Sequence, residues 1–442
     1  MPTPAVTASE SSAIRSITIR ACFLELFYWF GVATYTAFMV STLIDQGWSR
    51  SLAAGVMTLC SVALLISQPV VGYIVDRYLT EKKLLIGALL VGAVALAALP
   101  LSLSNGSKSL IFANLLLYTL TGSSMANFID AWVVGLKQEF PSINYGLIRG
   151  MGSISYAISA FIIGYMSVSH GLSLRYIIGA ASTLIALFIA LSLREARKDI
   201  DYRPGEKDAD PLPETAVPAV TIEEGFESLT EDMIIKDPVE PEPGVGLSGR
   251  EALRLVFQSK AYNLLLTVAA LLCLAGTSIT TLLQIAIVDL GGNTADIGTG
   301  TFVMAMSEFP TMILVAYFFR YFRKSQILLV ACFFYIVRMV ATGMAMDLSV
   351  IIAVQALQSV SNAVFIALSM SFISEMVDSR VRSTGVAFYS AIGLTVPSIL
   401  GNLFSTFMLG QGFTAQQILL ILTVFPALAA VFTAQGILRK TW

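Results

Sequence analysis

The chain has 442 residues, 56% of them hydrophobic and only 13% charged, with a mean hydropathy of +0.77. Charge at about half the density of a soluble domain excludes an ordinary cytosolic enzyme and marks a membrane protein. The net charge of −2 averages two unlike regions: residues 199–242 hold 14 of the 29 acids and 3 of the 27 basic residues, leaving a basic remainder.

A hydrocarbon core about 30 Å thick requires roughly 20 mostly apolar residues per helix. On that length the sequence predicts twelve spans, at 19–43, 51–75, 84–103, 109–136, 145–168, 174–193, 261–287, 297–319, 326–346, 349–374, 383–408 and 416–437. This is an all-α membrane protein of two six-helix bundles, residues 1–193 and 261–442. The acidic, proline-rich stretch between them, 194–260, cannot bury enough apolar surface to fold and reads as a solvated, partly extended linker. Glu10 ahead of the first apolar run, with no small-residue cleavage site, predicts a retained first span rather than a signal peptide.

Lys and Arg set the orientation, since cytoplasmic loops carry the excess. With the N-terminus inside, that face receives 22 of the 27 and the other face only Arg50, Lys108 and Arg175, while Arg149 and Arg338 lie inside spans. A multi-pass protein of the cytoplasmic membrane with both termini and the linker inside follows.

An ionisable group at membrane depth costs several kcal/mol unless paired or hydrated, so each is a functional candidate. Taken in chain order, span 1 carries Glu25, followed by Tyr28, Trp29 and Tyr35, aromatics that either pack or stack on a solute. Glu25 has no arginine at its depth in span 1 or in an obvious neighbour, and a carboxylate alone in low dielectric is cheapest with its proton on, which suits a proton carrier; a water-exposed Glu near the helix start is the plainer reading. Asp130 in span 4 and Arg149 in span 5 are each about nine residues from the loop joining them, hence at similar depth and able to meet. Span 7 presents Thr277, Thr281 and Gln284 at i, i+4, i+7. Glu308 in span 8 and Arg338 in span 9 repeat the acid-then-arginine hairpin nearer the midplane. Such a pair either fixes helix register or recognises a polar solute, with Arg as a rigid donor fork and the carboxylate as acceptor. In span 10, Gln355, Gln358 and Asn362 share one face, which a helix turns toward a watery cavity or another helix.

The remaining chemistry is sparse. Cys22, Cys60, Cys273 and Cys332 lie in apolar runs without short spacing, His170 is the one histidine and falls in a loop, and no metal, phosphate-loop or nucleophile-elbow motif occurs. No metal site, cofactor, nucleic-acid partner or enzymatic activity is expected.

The sequence resembles the major facilitator superfamily throughout, apart from the linker. Between spans 2 and 3, Gly72-Tyr73-Ile74-Val75-Asp76-Arg77 resembles the family's G-x-x-x-D-R signature, although its later glycine is Leu79 and its basic pair arrives late, as Lys82 and Lys83. The resemblance implies a gate at Gly72, Asp76 and Arg77. Within the superfamily, Asp130, Arg149, Glu308 and Arg338 resemble the in-membrane charges of proton symporters grouped around lactose, nucleoside and phenylpropionate permeases. Tyr145-Gly146-Leu147-Ile148-Arg149-Gly150-Met151-Gly152-Ser153 resembles the stretch that opens span 5 in that branch, with Leu147 replacing its first arginine. Glu308-Phe309-Pro310 resembles its E-x-P of span 8, and Arg382-Ser383-Thr384-Gly385 the opening of its span 11.

The departures constrain mechanism. Where lactose permease uses titratable groups in span 10, this chain has Gln355, Gln358 and Asn362, so coupling falls to Glu308, Glu25 or Asp130. Span 5 contains no proline, unlike drug–proton antiporters. The expectation is a monomeric symporter moving a small polar solute (sugar-like, nucleoside or aromatic acid) with a proton. Asp130, Arg149, Glu308, Arg338, Gln355, Gln358 and Asn362 would contact the solute. The alternatives are an exporter or passive facilitator of the same fold, and, more remotely, a membrane sensor whose output is the linker.

Overall fold

The computed structural model describes residues 8–77, 80–140, 142–143, 145–193, 249–318, 321–377 and 381–441, and among them every regular element is helical. Among the described residues, eleven helical runs are long and apolar enough to cross a membrane. Span 8, the 25-residue helix Thr294–Phe318, packs among them and fits the expected twelve. Several spans start on a side-chain cap that takes an otherwise orphaned backbone N–H: Ser107 accepts from Leu110, Ser259 from Tyr262, and Thr414 forms a reciprocal box with Gln417. Between spans 1 and 2, 3 and 4, 5 and 6, 7 and 8, and 11 and 12 the chain turns through Gly47, Gly106, Gly171, Gly291 and Gly412, each at positive φ, where a side chain would be strained. These turns all lie on the face remote from the termini.

The segment expected as linker ends differently. Gly249–Gln258 is a helix whose Val256 is buried and whose Phe257 ring meets Phe388 at 5.5 Å and Tyr262 at 6.2 Å. The prolines of this stretch stop at Pro243, and Gly249–Gln258, with Glu251 as its one acid, carries enough apolar surface to dock on spans 7 and 11. Residues 194–248 lie outside the described residues. Lys82, expected late in the gate motif, donates to the carbonyls of Leu191, at 3.2 Å, and Leu193, and Arg20 donates to Ser192 at 2.9 Å. Both therefore satisfy the carbonyl end of span 6, where cations are favoured. Span 2 is helical to Arg77, but the side chains of Gly72, Asp76 and Arg77 lie outside the described residues, as does Leu79.

The halves meet where span 5 packs on span 8, span 2 on span 11 and span 1 on span 7. Thr294 Oγ1 donates to Gly164 O at 3.3 Å, Ser51 Oγ to Thr406 O at 2.9 Å and Gln284 Nε2 to Thr36 O at 3.4 Å, and Arg50 pairs with Asp289. These contacts gather on the face of the glycine turns and close the molecule there. Outward side chains such as Leu101 and Phe188, 72% and 65% exposed, would be a liability in water and are what a lipid-facing surface requires.

Candidate functional site

Below that closure lies a cavity of about 190 Å³ walled by both halves. Trp29 comes from span 1, Arg149, Ser153 and Tyr156 from span 5, and Met304, Ala305 and Glu308 from span 8. Span 5 is held on span 1 by serines one turn apart: Ser155 Oγ donates to Leu26 O at 2.6 Å and Ser159 Oγ to Phe30 O at 2.9 Å. Such bonds fix helix register in a medium that offers no alternative partner. They place Tyr156 against Trp29, ring centroids 6.1 Å apart, with its hydroxyl 3.0 Å from Thr36 Oγ1.

Asp130 and Arg149 meet, with Nε 3.6 Å from Oδ2, and the Arg149 guanidinium lies over the Trp29 ring at 4.8 Å. Both groups retain solvent access, so the pair is a loose one, open to competition from a solute. Glu25 departs from its expected isolation. It is 1% exposed, 17 residues into the helix, and close enough to Asp130 and Arg149 to interact with both electrostatically. Spans 1, 4 and 5 bring these three charges together, a grouping the order of spans in sequence does not reveal. A Cβ on Gly152 would lie 2.8 Å from Glu25 Oε2 and 2.4 Å from Trp29 Cδ1, so this glycine makes room for the carboxylate and the indole. Glu25 Oε2 has no hydrogen-bond partner, an expensive state for a buried oxygen.

In the other half, the expected facing of Glu308 and Arg338 is replaced by a relay. Arg338, 2% exposed, donates from Nη1 to Gln358 Oε1 and from Nη2 and Nε to Gln355 Oε1 at 2.7 and 3.2 Å. Gln358 Nε2 then donates to Glu308 Oε1 at 2.6 Å, and Asn362 Nδ2 to the same oxygen at 3.4 Å. Span 10 leaves α-helical geometry here, running as a 3₁₀ turn over Val354–Gln358 and a π turn over Ser359–Ala363. That rewinding turns both glutamines onto Arg338, and irregular turns of this kind recur at functional sites. Gln355 itself is fully buried and serves as a second layer, with Nε2 on Thr342 Oγ1 at 3.2 Å and on Ile351 O at 2.9 Å.

A second cavity of about 130 Å³ lies wholly in this half. Its wall includes Met304, Tyr335, Arg338, Gln358 and Asn362, and span 7 supplies Cys273, Thr277 and Thr280. Span 7 breaks at Thr277, between Lys260–Gly276 and Ser278–Asp289, so Thr280 rather than the expected Thr281 reaches the cavity, and Gln284 instead joins the closure at Thr36 and Ser41. Of the span 1 aromatics Trp29 lines the first cavity, whereas Tyr28 donates to Gly122 O at 3.1 Å and Tyr35 bonds Thr119, both as buried packing groups.

Arg175 lies at the start of span 6, on the face where the count of basic residues places it, and it is 1% exposed there. Its guanidinium sits over Phe38 at 4.9 Å and Tyr176 at 4.6 Å and donates to Tyr176 Oη at 2.7 Å and to Thr42, leaving Nε and Nη1 without partners. Tyr156, Met304 and Ser153 are likewise absent from the expected set. Ser153 closes the Tyr145–Ser153 stretch that opens span 5, whereas no charge or motif distinguishes Tyr156 or Met304 in the sequence, and the span 5–span 8 contact brings the three together.

The MFS_1 like family matches residues 19–428. No curated protein matches the chain. Among solved structures, the nucleoside transporter NupG superposes with a TM-score of 0.68 at 13% identity, covering 95% of this chain and 98% of that one. An auto inhibited POT family peptide transporter gives 0.66 at 14%, covering 96% and 97%. A bacterial homolog of the human lysosomal transporter Spinster, in an inward-facing and unoccupied conformation, gives 0.66 at 13%, covering 97% and 98%. At such identities the likeness is one of fold.

Proposed function

The chain belongs to the MFS_1 like family of transporters, and from that premise we propose a proton-coupled symporter that imports a small polar organic solute by rocking its two halves about the central cavity. The observation that carries this reading is that Arg149 of one half and Glu308 of the other wall the same 190 Å³ space. A solute bridging them gains a donor fork and an acceptor only while the halves are properly apposed, as alternating access requires. Closure on the face remote from the termini corresponds to an inward-facing state if the termini lie in the cytoplasm, as the basic residues argue.

Coupling rests on three carboxylates. Glu25 has an unpartnered buried oxygen. Asp130 shares Arg149 with any anionic or hydroxylated solute group, so binding releases it to take a proton. Glu308 has one oxygen in the amide relay. Asp76 and Arg77 serve the gate between spans 2 and 3. The solute is sugar-like, a nucleoside or an aromatic acid, and the transporter acts as a monomer in the cytoplasmic membrane.

The test is transport by the purified chain in liposomes under an imposed inward proton gradient, with sugars, nucleosides and aryl acids first ranked by thermal shift, since ligands of the folded state raise its apparent stability. Glu308→Gln should abolish uphill accumulation while exchange persists. Undiminished accumulation in that variant overturns the assignment of Glu308.

A further inference from the structure

Met304 is common to the walls of both cavities. We propose that the second cavity is a further lobe of the solute site, that Met304 is its door, and that the lobe takes an uncharged hydroxyl-bearing arm of a solute whose planar ring lies against Trp29 and Tyr156. This rests on the transporter reading and specifies its substrate class.

The door is weakly held. Arg338 Nη2 donates to Met304 Sδ at 3.4 Å, and a thioether is a poor acceptor on a side chain with three rotatable bonds. Any solute oxygen that reaches Arg338 is the better acceptor, so its arrival releases Met304 and joins the two spaces. The lobe is prepared for such an oxygen. Gly276 leaves room for the Tyr335 hydroxyl, since a Cβ there would come within 2.8 Å of it. Tyr335 donates to Asn362 Oδ1 at 2.7 Å and keeps its lone pairs for a donor, and Thr277 and Thr280 add hydroxyls. Arg338 as donor, with the Tyr335 and Thr277 oxygens, whose own protons go to Asn362 and to Cys273 O, as acceptors, matches a polyol, whose hydroxyls accept and donate.

Charge argues against an anionic arm. Arg338, which walls the lobe, is already matched by Glu308 through Gln358, and Asn362 donates to the same carboxylate, so an anionic arm would leave the site with an uncompensated negative charge beside Glu308. The ring belongs to the first lobe, where the edge-to-face pair of Trp29 and Tyr156 makes an aromatic wall. A nucleoside and an aryl glycoside share this ring-plus-polyol chemistry.

Cys273 lines the second lobe and supplies the probe. In the full chain carrying Cys22→Ala, Cys60→Ala and Cys332→Ala, the rate of Cys273 modification by methyl methanethiosulfonate is measured. Met304→Ala should raise that rate at least about fivefold and Met304→Phe should lower it similarly, while the volume-conserving Met304→Leu, which checks folding, labels like its parent. Adenosine or phenyl glucoside should slow labelling, and adenine, ribose or glucose alone should not. Rates indifferent to both Met304→Ala and Met304→Phe overturn the door. Rates that follow Met304 but ignore adenosine and phenyl glucoside overturn the lobe's assignment. Labelling that behaves as stated in a protein that accumulates nothing in liposomes would instead count against the transport reading alone.

Discussion

Gln358 Nε2 donates to Glu308 Oε1 at 2.6 Å while the oxygen of the same amide takes Arg338, so one neutral side chain joins an acid and a base that form no direct ion pair among the described residues. An amide bridge separates the two charges far enough for each to respond to a ligand, yet compensates both for their loss of water. Gln358→Leu should therefore lower stability by about 2 kcal/mol, the scale of a hydrogen bond to a charged group left unmade. Gln358→Glu should recover the stability by pairing with Arg338 but lose transport, because it sets a second acid against Glu308. Denaturation midpoints and liposome uptake of the two variants separate the effects.

Gly152 faces the Glu25–Trp29 pair, where a Cβ would lie 2.4 Å from Trp29 Cδ1 and 2.8 Å from both Glu25 Oε2 and Trp29 Nε1. A single added methyl cannot be absorbed by the backbone of two packed helices, so Gly152→Ala should push the indole from Arg149, at a cost of about 1–3 kcal/mol. Loss of quenching or a shift in Trp29 emission, with the other three tryptophans replaced, reads the displacement directly.

The spans were legible because length and hydropathy suffice for them: predicted span 3 at 84–103 is observed as Glu81–Asn105, and predicted span 12 at 416–437 as Ala415–Leu438 with one interruption at Thr423. The charged members of the site were legible because charge in the membrane is rare. What pairs with what was less so. Asp130 and Arg149 flank one loop, and loop symmetry places them together; Glu25 joins them only through packing of spans 1 and 5, which no short-range pattern encodes. The relay at Gln358 depends on a 3₁₀ and a π turn, and Thr280 on a break at Thr277, each a shift of helical phase that i, i+3, i+7 spacing assumes away. Arg175 lies on the expected face, but its burial comes from the packing of Phe38 and Tyr176 around it, which the count of basic residues does not report.

Gly298 and Gly164 bring spans 8 and 5 into backbone contact, and a Cβ on Gly298 would lie 2.4 Å from Ala160 O. Here the obstacle is a carbonyl of the opposing half rather than a mobile side chain. Gly298→Val should hold the halves apart on this face and favour the opposite state. A cysteine pair at Ser51→Cys and Thr406→Cys, whose parent residues are linked at 2.9 Å, should cross-link readily in the otherwise unaltered chain and at least about tenfold more slowly with Gly298→Val. Equal cross-linking would show that the glycine contact does not control closure.

Arg175 poses the opposite question, a buried cation that spends more than it gains. Two of its nitrogens lack partners, and its remaining contacts are two hydroxyls and two aromatic faces. Replacing a buried charge by an apolar side chain of similar volume is commonly neutral or stabilising by about 1–4 kcal/mol. Arg175→Met should thus raise the denaturation midpoint. Asp45, exposed at the end of span 1 and within electrostatic reach of Arg175, is an acid placed to claim the guanidinium if span 1 shifts during opening. If it does so, Arg175→Met slows transport in spite of its added stability, and Asp45→Asn reproduces the slowing. A variant that is both less stable and unchanged in rate would mean that the aromatic contacts alone compensate the charge.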